Sequence, residues 1–161
     1  MKIIKISIPL SVILFASAYM KNIPPPNEKV ACVIFGEAGK GYSKTARWIV
    51  ASTIMNRRKH AGFGNGRLET MEQVAYQPKA YSCVGDEKNG NWTNPDKTCP
   101  EWQEALELSR GCFVPYPSIV YYHDRSVKKA PASWTNKWWE AKRRIISKDF
   151  TAYTIKARRT K

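Results

Sequence analysis

Acidic side chains are scarce in this chain. Thirteen aspartates and glutamates stand against 27 lysines and arginines, a formal net charge of +14, so a carboxylate set among apolar residues needs a reason. Histidine is rarer, with two residues far apart, and no C-x-x-C or H-x-x-x-H spacing accompanies the four cysteines. The usual zinc frames are thereby excluded, and no metal or other cofactor is expected. An uninterrupted apolar run of the roughly twenty residues needed to span a bilayer is also missing. The glycine-rich run Ala61-Gly62-Phe63-Gly64-Asn65-Gly66 follows no strand and precedes no Lys-Ser/Thr pair. It reads as a loop, not as a phosphate cradle.

What the N-terminus does have is Lys2 and Lys5, an apolar stretch from Ile6 to Phe15, and Ala16-Ser17-Ala18. These are the charged, apolar and small-residue parts of a secretory signal over residues 1–18, and they point to a secreted or periplasmic protein. Residues 19–28, with Pro24-Pro25-Pro26, form an extended linker. In an exported chain an even set of cysteines suggests two disulfides. Three pairings are open; the favoured one joins Cys83 to Cys99, closing a polar loop, and Cys32 to Cys112. The basic surface would then meet an anionic cell envelope, peptidoglycan stem carboxylates included, and not nucleic acid. Lys142-Arg143-Arg144 reads as a solvated face, and residues 156–161 as a basic tail.

At 161 residues, 43% hydrophobic and 12% aromatic, the chain suits one globular domain, assigned to residues 29–155. Val30, Val33, Ile34 and Glu37 recur at helical spacing and place Glu37 on a core-facing stripe. Gly39 and Gly41 supply a reversal through positive φ. Ser43 caps a second helix with Ala46, Ile49, Val50, Thr53 and Ile54 inward, ending near Asn56-Arg57-Arg58. Thr70-Met71-Glu72-Gln73 is a capping box for a short third helix, and Pro100 begins a fourth. Between them Val84 to Thr98 is polar and turn-rich. Ser118–Tyr122 and Phe150–Thr154 have strand composition. The expected fold is mainly α (α+β), a single helical domain with a small β-hairpin, and the chain is expected to be a monomer.

The stretch Val33-Ile34-Phe35-Gly36-Glu37-Ala38-Gly39-Lys40-Gly41 carries the chemistry. A carboxylic acid can protonate a glycosidic oxygen near neutral pH when apolar neighbours disfavour its charged form, and Val33, Ile34 and Phe35 precede Glu37. Gly36 and Ala38 leave room for a bulky polymer. Glu37 is the candidate general acid.

Taken together, Val33-Ile34-Phe35-Gly36-Glu37-Ala38, Ile54-Met55-Asn56-Arg57, Tyr76-Gln77-Pro78, Tyr81-Ser82-Cys83, Tyr121-Tyr122-His123-Asp124 and Pro131-Ala132-Ser133-Trp134 resemble the SleB-type cell-wall hydrolases, named for a spore-cortex-lytic enzyme. The likeness covers roughly Val30 to Tyr153. It implies a mostly helical, lysozyme-like domain with Glu37 as the acid. It also implies cleavage between N-acetylmuramic acid and N-acetylglucosamine, typically as a lytic transglycosylase. That route needs no enzymic nucleophile, because the muramyl C6 hydroxyl attacks its own anomeric carbon. Gln77, Tyr81, Tyr121, Tyr122, His123 and Trp134 offer amide, imidazole and aromatic surfaces for acetamido sugars. Where the family often has Gly-Gln-Phe, this chain has Lys79-Ala80-Tyr81, which removes one expected polar contact.

Three other readings compete. Hydrolysis would need a second carboxylate at about 5 to 9.5 Å, with Asp124 the best candidate and Asp86 and Glu87 weaker ones. A peptidase would pair Cys83 or Cys112 with His123. A non-catalytic module would bind wall glycan through its basic and aromatic surface alone. His123, beside two tyrosines, also suits a purely structural hydrogen-bonding role.

Overall fold

Asn27 starts the first helix, α1 (Glu28–Ala38), by accepting a hydrogen bond from the Val30 N–H at 3.1 Å through Oδ1. The computed structural model describes residues 23–59, 70–126, 131, 134 and 139–157. The leader, the 61–66 glycine run and residues 158–161 of the basic tail therefore lie outside the described residues. Along α1, Val30, Ala31, Val33, Ile34 and Phe35 are buried, and Phe35 meets Trp102 edge-on at 5.6 Å between ring centroids.

α2 (Lys44–Lys59) is the central element, buried at every position from Ile49 to Arg57. Its Ser43 cap is anchored in turn by Asp149, whose Oδ2 accepts from the Ser43 N–H at 3.0 Å and from the Ser43 hydroxyl. Near the other end, Asn56 donates to the carbonyls of Tyr116 and Ile119 at 2.8 and 2.7 Å. These bonds carry the chain toward the sheet. α3 (Met71–Ala75) has the full Thr70/Gln73 capping box. α4 (Gly90–Thr93) is a short helix inside the stretch read as polar and turn-rich, started by Asn89. α5 (Pro100–Ser109) has proline in its first turn and buries Trp102, Ala105, Leu108 and Ser109.

The remaining residues form one antiparallel sheet in the order β1-β3-β2, with β1 Tyr121–Asp124, β2 Trp139–Ile146 and β3 Phe150–Ala157. In register Tyr122 faces Ala152 and His123 faces Thr151. The fold is thus mainly helical with a small sheet, α+β as expected, but the hairpin of the sequence reading gains a third strand. β2 escaped notice because Lys142-Arg143-Arg144 interrupts apolar alternation, and a bulge between Arg143 and Ile145 breaks the period of two. Cations on an edge strand also discourage pairing with another chain. Lys142 is nonetheless exposed, as its composition suggested.

Two further expectations are corrected. Of the two glycines at the reversal after α1, Gly41 alone uses positive φ, at 89°. Gly39 has φ −77° and is needed for space instead, since a Cβ there would lie 2.5 Å from the Phe35 carbonyl oxygen. The disulfides are not formed either, and Cys32, Cys83, Cys99 and Cys112 are free thiols. Each is engaged separately. Cys83 Sγ lies 3.7 Å from the Val33 carbonyl inside the core, Cys99 Sγ caps α5 by accepting from Trp102 N–H at 3.4 Å, Cys112 is exposed, and Cys32 is half-buried on α1.

Candidate active site

Glu37 is half-buried at the C-terminal end of α1, and its carboxyl is held by donors on both oxygens. Oε1 accepts from the Cys83 N–H at 2.7 Å and from the Ser82 hydroxyl at 3.0 Å. Oε2 accepts from the Tyr122 hydroxyl at 2.8 Å. The expectation that Val33, Ile34 and Phe35 surround the carboxyl is corrected, because all three point into the core. Polar donors and the aromatic wall meet Glu37 in their place.

The sequence dictates this arrangement locally. A Cβ on Gly36 would stand 2.8 Å from Cys83 Sγ and 2.9 Å from Cys83 Cβ, so glycine lets the 77–84 segment lie directly on the helix. Asn89 completes the join. Its Nδ2 donates to the Gly36 carbonyl at 2.9 Å, satisfying an orphan of the last helical turn, while its Oδ1 caps α4 through Trp92 N–H at 3.0 Å. Arg47, buried in α2, donates to the Ala38 carbonyl at 3.2 Å and pairs with Glu104 at 2.8 Å. The end of the helix that bears Glu37 is therefore fixed on three sides.

Beside the carboxyl opens a cleft of about 1210 Å³. Gln77, Tyr81, Tyr121, Tyr122, His123 and Trp134, the six residues expected to contact substrate, all line it. Tyr121 and Trp134 stack at 4.6 Å with their planes 12° apart. His123 stacks on Trp134 at 5.8 Å and lies tilted against Tyr153 at 5.2 Å. Its Nδ1 lies 2.7 Å from the Asp124 carbonyl, which can only accept, so Nδ1 donates there, and Nε2 lies 2.9 Å from the Tyr153 hydroxyl. Both nitrogens are occupied.

Burial acts strongly on the two tyrosines nearest Glu37. The Tyr122 ring is part-exposed to the cleft, but its hydroxyl is desolvated and its pKa is pushed well up, with the Glu37 charge adding to the effect. Tyr81 is pushed up to about 12, again mainly by burial, with Arg57 opposing. Both therefore remain protonated donors. Replacing Tyr122 by Phe keeps its packing on Phe150, 4.8 Å away, and removes one bond to the acid. Turnover should fall about tenfold with the melting temperature nearly unchanged, as measured by paired kinetics and thermal unfolding.

Sequence reasoning missed Arg57. It lies 7% exposed beneath the cleft, donates from Nε to the Val120 carbonyl at 2.8 Å, and sits 5.3 Å from the ring centroids of both Tyr81 and Tyr121. The available signal was its spacing after Thr53 and Ile54, which sets a cation on the inward stripe of α2. Of the three candidate second carboxylates, Asp124 lines the cleft and Asp86 and Glu87 do not. Asp124 is exposed, and hydrogen bonds from Ser126 hold its carboxyl below the usual range.

A sequence profile described as Cell Wall Hydrolase matches residues 41–151. The chain belongs to the cell wall hydrolase family. No curated protein and no solved structure matches it. The profile spans Arg57 and all six aromatic and polar contact residues, and begins just after Glu37. Membership makes peptidoglycan the substrate of this cell wall hydrolase. The Cys/His pairing has little geometric support, since neither Cys83 nor Cys112 lines the cleft and burial pushes the Cys83 thiol well up, away from the reactive thiolate.

Proposed function

We propose that this cell wall hydrolase cuts the glycan strand between N-acetylmuramic acid and N-acetylglucosamine, with Glu37 as general acid and then base. The reaction is that of a lytic transglycosylase. The observation that carries this reading is the Glu37 carboxyl, gripped by Ser82, Cys83 N–H and Tyr122 and facing a polymer-sized aromatic cleft. In the first step the carboxyl gives its proton to the glycosidic oxygen as the bond to the muramyl C1 breaks. In the second it takes the proton of the muramyl C6 hydroxyl, whose oxygen closes the 1,6-anhydro ring on C1. No water is consumed and no protein nucleophile is used. Export through the leader and action as a monomer on the envelope belong to the same proposal, as does the SleB-type likeness.

Hydrolysis keeps one specific point in its favour, the presence of Asp124 on the cleft wall. Product analysis separates the routes. Digestion of purified peptidoglycan should release muropeptides with 1,6-anhydromuramyl ends, each lighter by one water than the reducing form, and Asp124→Asn should leave their yield within about twofold. Reducing muramyl ends that disappear in the Asp124→Asn variant would replace transglycosylation with hydrolysis.

A further inference from the structure

Lys79 is the one described non-glycine residue with positive φ, at 62°. An L side chain meets its own backbone there, and glycine would take the same shape without strain. Strain of this kind persists where the surrounding structure imposes it, and it clusters at sites that use the side chain. Lys79 is exposed and lines the same cleft as Glu37.

Its charge has no internal use. Among the described residues Lys29, Lys40, Lys44 and Lys97 each pair with a carboxylate, whereas Lys59, Lys79, Lys88 and Lys148 make no ion pair, and of these four Lys79 lines the cleft. The cleft's other cation, Arg57, is committed to the Val120 carbonyl and two tyrosine rings. The two acids of the cleft are likewise engaged, Glu37 by three donors and Asp124 by Ser126. One wall of the cleft thus presents an unpaired, exposed ammonium. It invites a group that accepts hydrogen bonds and carries negative charge.

Peptidoglycan carries such groups on its muramyl side, as the lactyl carboxylate of stripped strands and the carboxylates of stem peptides. We infer that Lys79 is a specificity residue that reads a muramyl-side carboxylate of the glycan being cut. The inference rests on the glycan-cleavage reading above. It accounts for a lysine kept in a conformation suited to glycine, at the point where the chain departs from the Gly-Gln-Phe run.

The test uses the full chain on three substrates: native peptidoglycan, the same material with its carboxylates amidated by carbodiimide, and strands stripped of stem peptides by an amidase. Wild type should cut native material about fivefold faster than amidated material at low salt, the ratio shrinking at high salt as an exposed contact requires. Lys79→Ala should bring the ratio to about one, and Lys79→Arg should keep it. Lys79→Gly should also lose the preference, yet melt about 3 °C higher because the strain is gone. The lactyl carboxyl of native strands is bound up in the amide to the stem, so the native preference reports stem carboxylates. Stripped strands cut at the native rate would show that the freed lactyl carboxylate is read as well, and a rate at the amidated level would confine the contact to the stem. An unchanged ratio in Lys79→Ala, or none in wild type, overturns the inference while glycan cleavage stands. Cleavage retained by Glu37→Gln, or absent in wild type, removes the underlying reading and the inference with it.

Discussion

Glu37→Gln lowers glycan-strand cleavage by about 10³-fold, within the range expected for loss of a general acid that also serves as base. The fold should survive. The amide oxygen still accepts from the Ser82 hydroxyl and the Cys83 N–H, now at 2.7 to 3.0 Å from Oε1. The Tyr122 hydroxyl, 2.8 Å from Oε2, rotates to accept from the amide NH₂ instead of donating. What disappears is a transferable proton. The measurement is the initial rate of muropeptide release, set beside a thermal melt that should move by no more than about 3 °C. Binding to peptidoglycan should be kept, which separates a dead enzyme from a lost surface. A purely binding module would lose nothing, and a thiol peptidase would go on cutting stems.

Arg57→Ala should be the most damaging change to stability near the cleft. The guanidinium is nearly buried, its Nε bond to Val120 ties α2 to the chain entering β1, and it fills the space between Tyr81 and Tyr121. Truncation leaves a buried carbonyl unanswered, opens a cavity and ends two cation–π contacts. Together these effects should cost about 3 to 4 kcal/mol. In a domain of this size that is a fall of roughly 10 °C in Tm. Arg57→Lys keeps the charge but not the planar fork, and should recover less than half of the loss. Thermal unfolding followed by circular dichroism reads both. An unmoved Tm in Arg57→Ala would show that the cation does not support the cleft wall.

The helices were legible where local chemistry is decisive. Ser43, the Thr70/Gln73 box and Pro100 mark starts that need no tertiary information, and the spacing of Val30, Val33 and Ile34 identifies the face of α1 that is buried. The candidate site residues came from the resemblance, and the structure brings them to one cleft. Their surroundings were not. Whether apolar neighbours face Glu37 depends on where the 77–84 segment docks, which Gly36 and Cys83 settle through a contact between distant parts of the chain. Arg57 looked like a helix terminus because its partners, Val120 and Tyr121, lie some sixty residues away. β2 was hidden by its own charges, and the thiols by the assumption that an even count must pair.

The central claim is that a glycan lies in the cleft with its scissile bond at Glu37. The most direct measurement is a crystal structure of the Glu37→Gln variant holding a tetrasaccharide of alternating N-acetylglucosamine and N-acetylmuramic acid. The account predicts the central muramyl glycosidic oxygen within about 3.2 Å of the side-chain amide at position 37, with sugar rings against Tyr121, Tyr122 or Trp134. A tetrasaccharide bound elsewhere on the surface, or crossing the cleft with no glycosidic oxygen in reach of that amide, would contradict it.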